Sequence, residues 1–279
     1  MTTFERITGD SLTGAGSRSA SRLALLRRAY TGELIKLRSV RSTFWLLGLT
    51  ALSLIGMGVV NAIGFVVHAA QDPAFDRSTI DPAGGALSGL GSAWLPVAVL
   101  GILAVTGDYS TGMIKTTIAA VPSRSKLVLG KIGALVTVLL PVTLVSTMIT
   151  FVAAELILGS SGIPISIQHP GVLRALVGSA LYLSTLSVFA AALGWLVRST
   201  AGALVTWLAL WIVPTFLIML LPDQVAARVQ PFLPGEAGTM ISETVGVGDA
   251  QAWSNFAVFV GYALIMSLVA GVVLNRRDA

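Results

Sequence analysis

The chain has 279 residues, of which 54% are hydrophobic and only 11% charged, with a mean hydropathy of +0.85. Soluble domains carry about 25% charged residues, so this composition excludes a soluble enzyme or binding domain and marks a polytopic membrane protein. The net charge of +5 does not point to nucleic acid, because the cations flank apolar runs and no basic stretch interleaves with aromatics; the lack of cysteine excludes disulfides, thiolate metal sites and Cys nucleophiles.

Residues 1–20 are rich in Ser, Thr and Gly and read as a disordered cytoplasmic tail. Over 21–41 the pattern changes. Leu23, Leu26, Tyr30, Leu34 and Leu37 recur at helical spacing, while Arg22, Arg27, Arg28, Lys36 and Arg38 fall largely off that stripe. The reading is an amphipathic helix lying in the membrane interface, with Ser21 as its N-cap.

Six apolar runs follow, at 43–67, 87–106, 127–158, 172–197, 201–221 and 252–274. About 20 apolar residues cross the hydrocarbon core, so all six qualify as spans. The first is too long for a signal-peptide core and is expected to stay in the mature protein. Pro96, Pro141 and Pro214 fall inside spans, where each removes a backbone hydrogen bond and permits a kink. The expected fold class is therefore an all-α membrane protein of six transmembrane helices. An N-terminal interfacial helix precedes them, and a short cytoplasmic helix joins spans two and three.

Lysine and arginine counts orient the chain. With both termini in the cytoplasm, fifteen of the eighteen Lys/Arg lie on the inner side; only Arg77, Arg174 and Arg228 lie outside. The outer loops carry the acids Asp72, Asp76, Asp81, Asp223, Glu236, Glu243 and Asp249. The longest, 222–251, is expected to form short helices that dip into the outer leaflet.

Catalytic tools are missing. The only Gly-Lys pair, Gly130-Lys131, is followed by Ile132, so no phosphate-binding loop exists for ATP. No His-Glu-x-x-His occurs, and His68 and His169 sit at outer span ends as solvated residues. Gly159-Ser160-Ser161-Gly162 resembles the Gly-x-Ser-Gly of rhomboid proteases, but it lies in an outer loop with His169 in that same loop, and reads as a turn. Polar residues within spans are few: Asn61, Glu155 and Arg174. The last two lie near the outer interface, where they can snorkel or pair with each other. A proton- or ion-driven carrier would need a carboxylate or His at mid-depth. Any energy source must then come from elsewhere.

The segment Ala104–Lys131 is short, basic and punctuated by Gly, Ser and Thr, and it lies between two spans at the inner face. Here the chain resembles the permease subunits of type-2 ABC exporters of the kind common in actinobacteria. Four stretches carry the likeness. The first is Glu33-Leu34-Ile35-Lys36-Leu37-Arg38-Ser39, followed by Arg41-Ser42-Thr43. The second is Thr106-Gly107-Asp108-Tyr109-Ser110-Thr111-Gly112-Met113-Ile114-Lys115-Thr116-Thr117, then Ala120, Pro122, Arg124 and Lys131. The third is Leu233-Pro234-Gly235-Glu236-Ala237-Gly238, similar to the family's Leu-Pro-Ser-Asn-Ala-Gly, and the fourth is the terminal Asn275-Arg276-Arg277-Asp278-Ala279. The family usually has Glu where Asp108 stands, and often Arg at Ser110 and Lys115.

The resemblance implies a pair of permease subunits, the same or sibling chains, working with two separate ATPase subunits that carry the ATP and Mg. No cofactor is expected in this chain. It further implies a coupling helix over Asp108–Ala120, with Asp108, Tyr109, Gly112, Met113, Ile114 and Lys115 as the segment gripped by the ATPase. Within it Asp108 is expected as an N-cap or salt-bridge partner, Tyr109 as an interface anchor and Gly112 as a close-approach site. Partners would then be the ATPase, a second permease and the bilayer, with no nucleic acid. The cargo would be hydrophobic or amphipathic. Other readings are a membrane assembly or anchoring protein and an ion-gradient-driven carrier.

Overall fold

The computed structural model describes residues 9–71, 81–113, 123–163 and 165–276, with side chains from residue 23 onward. Helix α1 spans Gly9–Ser39 and α2 Arg41–Gln71, with Val40 alone between them. A short helix α3, Pro82–Ala86, passes through a 3-10 turn at Leu87–Gly89 into α4, Leu90–Ser110. Then come α5, Arg124–Gly159, α6, Val172–Val197, and α7, Thr200–Ile218. Two short helices, α8 (Asp223–Val229) and α9 (Pro234–Thr239), precede the last, α10, Asp249–Arg276. Among the described residues there is no strand, and six helical segments are long and apolar enough to cross a membrane: α2, α3–α4, α5, α6, α7 and α10. The fold is an all-α membrane protein. Hydrocarbon offers no water to satisfy backbone groups, so lipid-exposed segments close their hydrogen bonds internally as helices.

The bundle is built around α6, which is buried over nearly its whole length, while α2 and α7 have few fully buried residues. Lipid tails are as apolar as leucine, so close packing rather than hydrophobicity chooses the central helix. The small residues of α6 suit it for this. Its serines 179, 184 and 187 return their hydroxyls to carbonyls of their own helix and leave no polar demand on neighbours. Helix α4 lies so close that a Cβ added at Gly101 would stand 2.3 Å from the Ser187 carbonyl oxygen.

In the described part of the N-terminal region the helix extends further back than the sequence pattern implies. Helix α1 is helical from Gly9, the first described residue, so Ser21 is inside it rather than capping it, and 9–20 carries helical backbone. Propagating an established helix adds one hydrogen bond per residue, and Ser, Thr and Gly each oppose it by less than about 1 kcal/mol. The buried positions of α1 are Ala29, Glu33 and Leu37, one turn apart, and Leu26, Tyr30 and Leu34 of the leucine stripe are half-buried beside them. Leu23 and Ile35 point outward instead. The face is set by α5, where the lack of a side chain at Gly130 lets Ala29 approach; a Cβ there would fall 2.9 Å from that residue.

The loop after α7 does have structure of its own. Helix α9 and the 3-10 turn Met240–Ser242 bury Ala237, Gly238 and Ile241 against α6 and α10. Arg174 of α6 fixes the rest: its guanidinium donates to the carbonyls of Glu243 (2.5 Å) and Val247 (3.3 Å) and lies 3.3 Å from the Asp249 carboxylate. It therefore pairs with Asp249 and not with Glu155, which is exposed on α5. Asp81 caps α3 through the Gly84 amide (2.9 Å) and accepts from the Thr244 hydroxyl, joining the two connections at this end.

Candidate functional site

At the end of the bundle that carries α1, four charges close into a ring. Lys131 reaches Glu33 Oε2 at 2.7 Å and Asp108 Oδ2 at 2.8 Å. Lys36 reaches Glu33 Oε1 at 3.0 Å and Asp108 Oδ1 at 3.3 Å. Each carboxylate thus spends one oxygen on each lysine. The third proton of the Lys131 ammonium goes to the Ala104 carbonyl at 2.5 Å, so all three of its donors are satisfied. Three of the four residues are buried: Glu33, Asp108 and Lys131. The set is neutral overall, which is what allows charges to stay out of water. Burial opposes the charge on Lys36, but Glu33 and Asp108 more than offset it and hold the amine above the ordinary lysine range.

The ring joins three elements. Glu33 and Lys36 come from α1, Asp108 from the last turn of α4, and Lys131 from the start of α5. A carboxylate at a helix C-terminus works against the helix dipole, so Asp108 needs the two ammonium groups beside it. The rest of the last turn of α4 is also engaged. The Arg198 guanidinium sits 5.5 Å from the centroid of the Tyr109 ring, a cation–π arrangement. Arg198 itself ends α6 in the left-handed region, at φ 58°. Thr200 at the start of α7 donates to the Thr106 hydroxyl at 2.8 Å. Arg124 at the start of α5 donates to the Leu274 carbonyl near the end of α10. One helical turn, Thr106–Ser110, therefore touches α1, α5 and the α6–α7 corner. Beside it lies a largely apolar cleft of about 340 Å³ between α1, the start of α2 and α4.

The structure places the expected coupling residues unevenly. Asp108 and Tyr109 belong to α4 itself, not to a separate helix. Asp108 is a salt-bridge partner rather than an N-cap, because α4 runs straight through it to Ser110. Gly112 adopts φ +70°, a turn conformation that favours glycine, and an added Cβ would meet nothing within 4 Å among the described residues. Met113 is exposed. Ile114 and Lys115, with the rest of 114–122, lie outside the described residues. Glu33, Lys36 and Lys131 were not singled out as site residues. Their signals were present: Glu33 is the only acid between Asp10 and Asp72, and Lys131 stands inside an apolar run.

Six helices long and apolar enough to cross a membrane, packed around a small-residue centre with ionic contacts gathered at the ends, define a multi-pass membrane protein. Residues 58–279 match the ABC-2 family transporter protein family, and the chain belongs to it. A comparison with curated proteins found no match. Permeases of this family are the membrane subunits of ABC transporters and are not themselves catalytic. The match begins within α2, so α1, with Glu33 and Lys36, lies ahead of it.

Proposed function

We propose that this chain is the membrane half of an ATP-driven exporter. ATP and Mg are bound by a separate ATPase subunit, two copies per transporter, and two permease subunits, the same or sibling chains, form the path. The end carrying α1 faces the cytoplasm, and the connection between α4 and α5 is what the ATPase grips. The observation that carries this reading is the ion ring. A displacement of the α4–α5 connection acts on Asp108 and Lys131 first, and through them on α1, α4 and α5 together. Salt bridges between buried groups resist separation more than apolar contacts do, because parting them strands charge in low dielectric. The three elements would then move as one body. The apolar cleft beside α1 and the scarcity of charge inside the bundle fit a hydrophobic or amphipathic cargo.

Affinity purification of the tagged chain from its native membranes tests this. The wild type should bring down an ATPase and ATP hydrolysis. A variant with 111–115 replaced by Gly/Ser should express, stay monodisperse and lose both. That exchange leaves Asp108 and the ring in place. A wild-type chain that comes down without any ATPase would defeat the proposal.

A further inference from the structure

We infer that the loop end of the bundle, opposite the ion ring, holds a binding site for an organic ammonium ion, formed by the Glu236 carboxylate against the indole faces of Trp94 and Trp211. A cavity of about 190 Å³ lies there, lined by Trp94 of α4, Tyr182 of α6, Trp211 and Pro214 of α7, and Leu233 and Glu236 at the start of α9. Drug-sized ligands occupy pockets of roughly 300–1,000 Å³, so this one fits a compact ionic head rather than an extended molecule.

The rings are held in place from behind. Trp207 is fully buried and stands 4.9 Å from Trp94 and 5.3 Å from Trp211, centroid to centroid. Trp94 and Trp211 are 6.5 Å apart and inclined by 23°. The Trp94 indole N–H is spent on the Gly91 carbonyl of its own helix at 3.0 Å, which leaves a ligand only the ring of this residue to meet. Trp211 also meets Phe259 edge-on at 6.3 Å. Helix α9 brings the charge: Gly235 lies so that a Cβ would stand 3.5 Å from the Trp211 ring, and Glu236 follows it.

Glu236 forms no ion pair among the described residues. Arg174 is committed to Asp249 and to the carbonyls of Glu243 and Val247, and Arg228, the other described cation at this end, is exposed on α8. Glu243, raised above the ordinary glutamate range by burial, is raised further by the Glu236 charge and only partly relieved by Arg174. The region has a surplus of negative charge. The chemistry of the walls then selects the cation. Hard metal ions want several oxygen ligands, and here Glu236 is the only carboxylate in the lining, while the Thr215 and Thr239 hydroxyls are spent on carbonyls of their own helices. Anions are repelled. An alkylated ammonium gains from aromatic faces and from the carboxylate, and its methyl groups suit an apolar wall. This inference does not depend on ATP-driven export.

Choline and its neutral isostere 3,3-dimethylbutan-1-ol provide the test, titrated onto the purified full chain in phosphatidylglycerol nanodiscs by calorimetry and tryptophan fluorescence. Choline should bind at least about tenfold more tightly than the alcohol. Glu236→Gln, nearly isosteric, should remove that advantage without weakening the alcohol, and Trp211→Leu should weaken choline by about tenfold as well. An unchanged melting temperature shows that the variants fold; Trp94→Phe, which keeps a ring, should retain binding. Repeating the titration in phosphatidylcholine nanodiscs separates two sources of the same head group. Loss of added choline binding there assigns the site to a lipid head group, and unchanged affinity assigns it to a soluble ion. Equal affinity for choline and the alcohol, no binding of choline, or an unaffected Glu236→Gln variant overturns the inference.

Discussion

Replacing Lys131 by methionine keeps the apolar stem and deletes the ammonium that closes the ion ring. Its side chain is 3% exposed, and those of Glu33 and Asp108 are 4% and 10% exposed. Removing one member of a buried ion pair costs about 3–5 kcal/mol, because the partner charge is left behind. Two carboxylates are stranded here, but Lys36 still lies 3.0 and 3.3 Å from them, so the low end, about 3 kcal/mol, is the expected loss. Lys36→Met should cost less. Its side chain is 28% exposed, Lys131 still neutralises half of the negative charge, and a pair near water is worth about 0.2–1 kcal/mol. Adding Asp108→Asn to Lys131→Met removes the stranded charge and should restore about 1–2 kcal/mol. Reversible unfolding of the purified chain in mixed micelles with dodecyl sulfate measures all four proteins. If Lys131→Met and Lys36→Met destabilise equally, or if the double variant is no more stable than Lys131→Met, the ring is not the buried, charge-balanced unit described here.

Further outcomes follow from individual contacts. Gly101→Ala should lose about 1–3 kcal/mol of stability by forcing α4 away from α6, whereas Gly107→Ala, where an added Cβ meets nothing within 4 Å, should be neutral or slightly stabilising; the same unfolding assay compares them. Arg174→Ala should leave the bundle intact but speed hydrogen exchange and proteolysis across 243–249, because two carbonyl hydrogen bonds hold that stretch and the Asp249 carboxylate is largely exposed. The pH dependence has a definite sign. Lys36 has a raised pKa, so its contribution is fully present below its ordinary value of 10.5 and is lost only as pH climbs through the higher folded value. Glu243 is also raised above its ordinary value of 4.5, so its contribution is present in acid and lost as pH rises through its folded value. Glu243→Gln should therefore flatten the stability profile in the acid range without lowering stability at pH 7.

The number and rough placement of the spans were legible in the sequence because membrane crossing is a one-dimensional requirement. A run of about 20 apolar residues suffices wherever it occurs, and helix is the form that satisfies its backbone. Of the ion ring, only Asp108 was legible, as an N-cap or salt-bridge partner implied by the resemblance; its partners were not. What the sequence did not show is which faces meet. The leucine stripe of α1 read as the face of an interfacial helix, yet Glu33 is buried against the bundle and Leu23 is exposed. Lipid is as apolar as the bundle interior, so hydrophobicity carries no information about contact there. Shape and charge decide instead. Gly130 admits Ala29, and Lys131 then draws in Glu33 from α1 and Asp108 from α4. The loop-end cavity is assembled in the same way: Trp94 and Trp211 come from different helices, and Glu236 joins its lining from a connecting segment. Span length belongs to each segment alone and can be read from it. Charge balance and ring stacking belong to residues far apart in the chain, and only the tertiary structure brings them together.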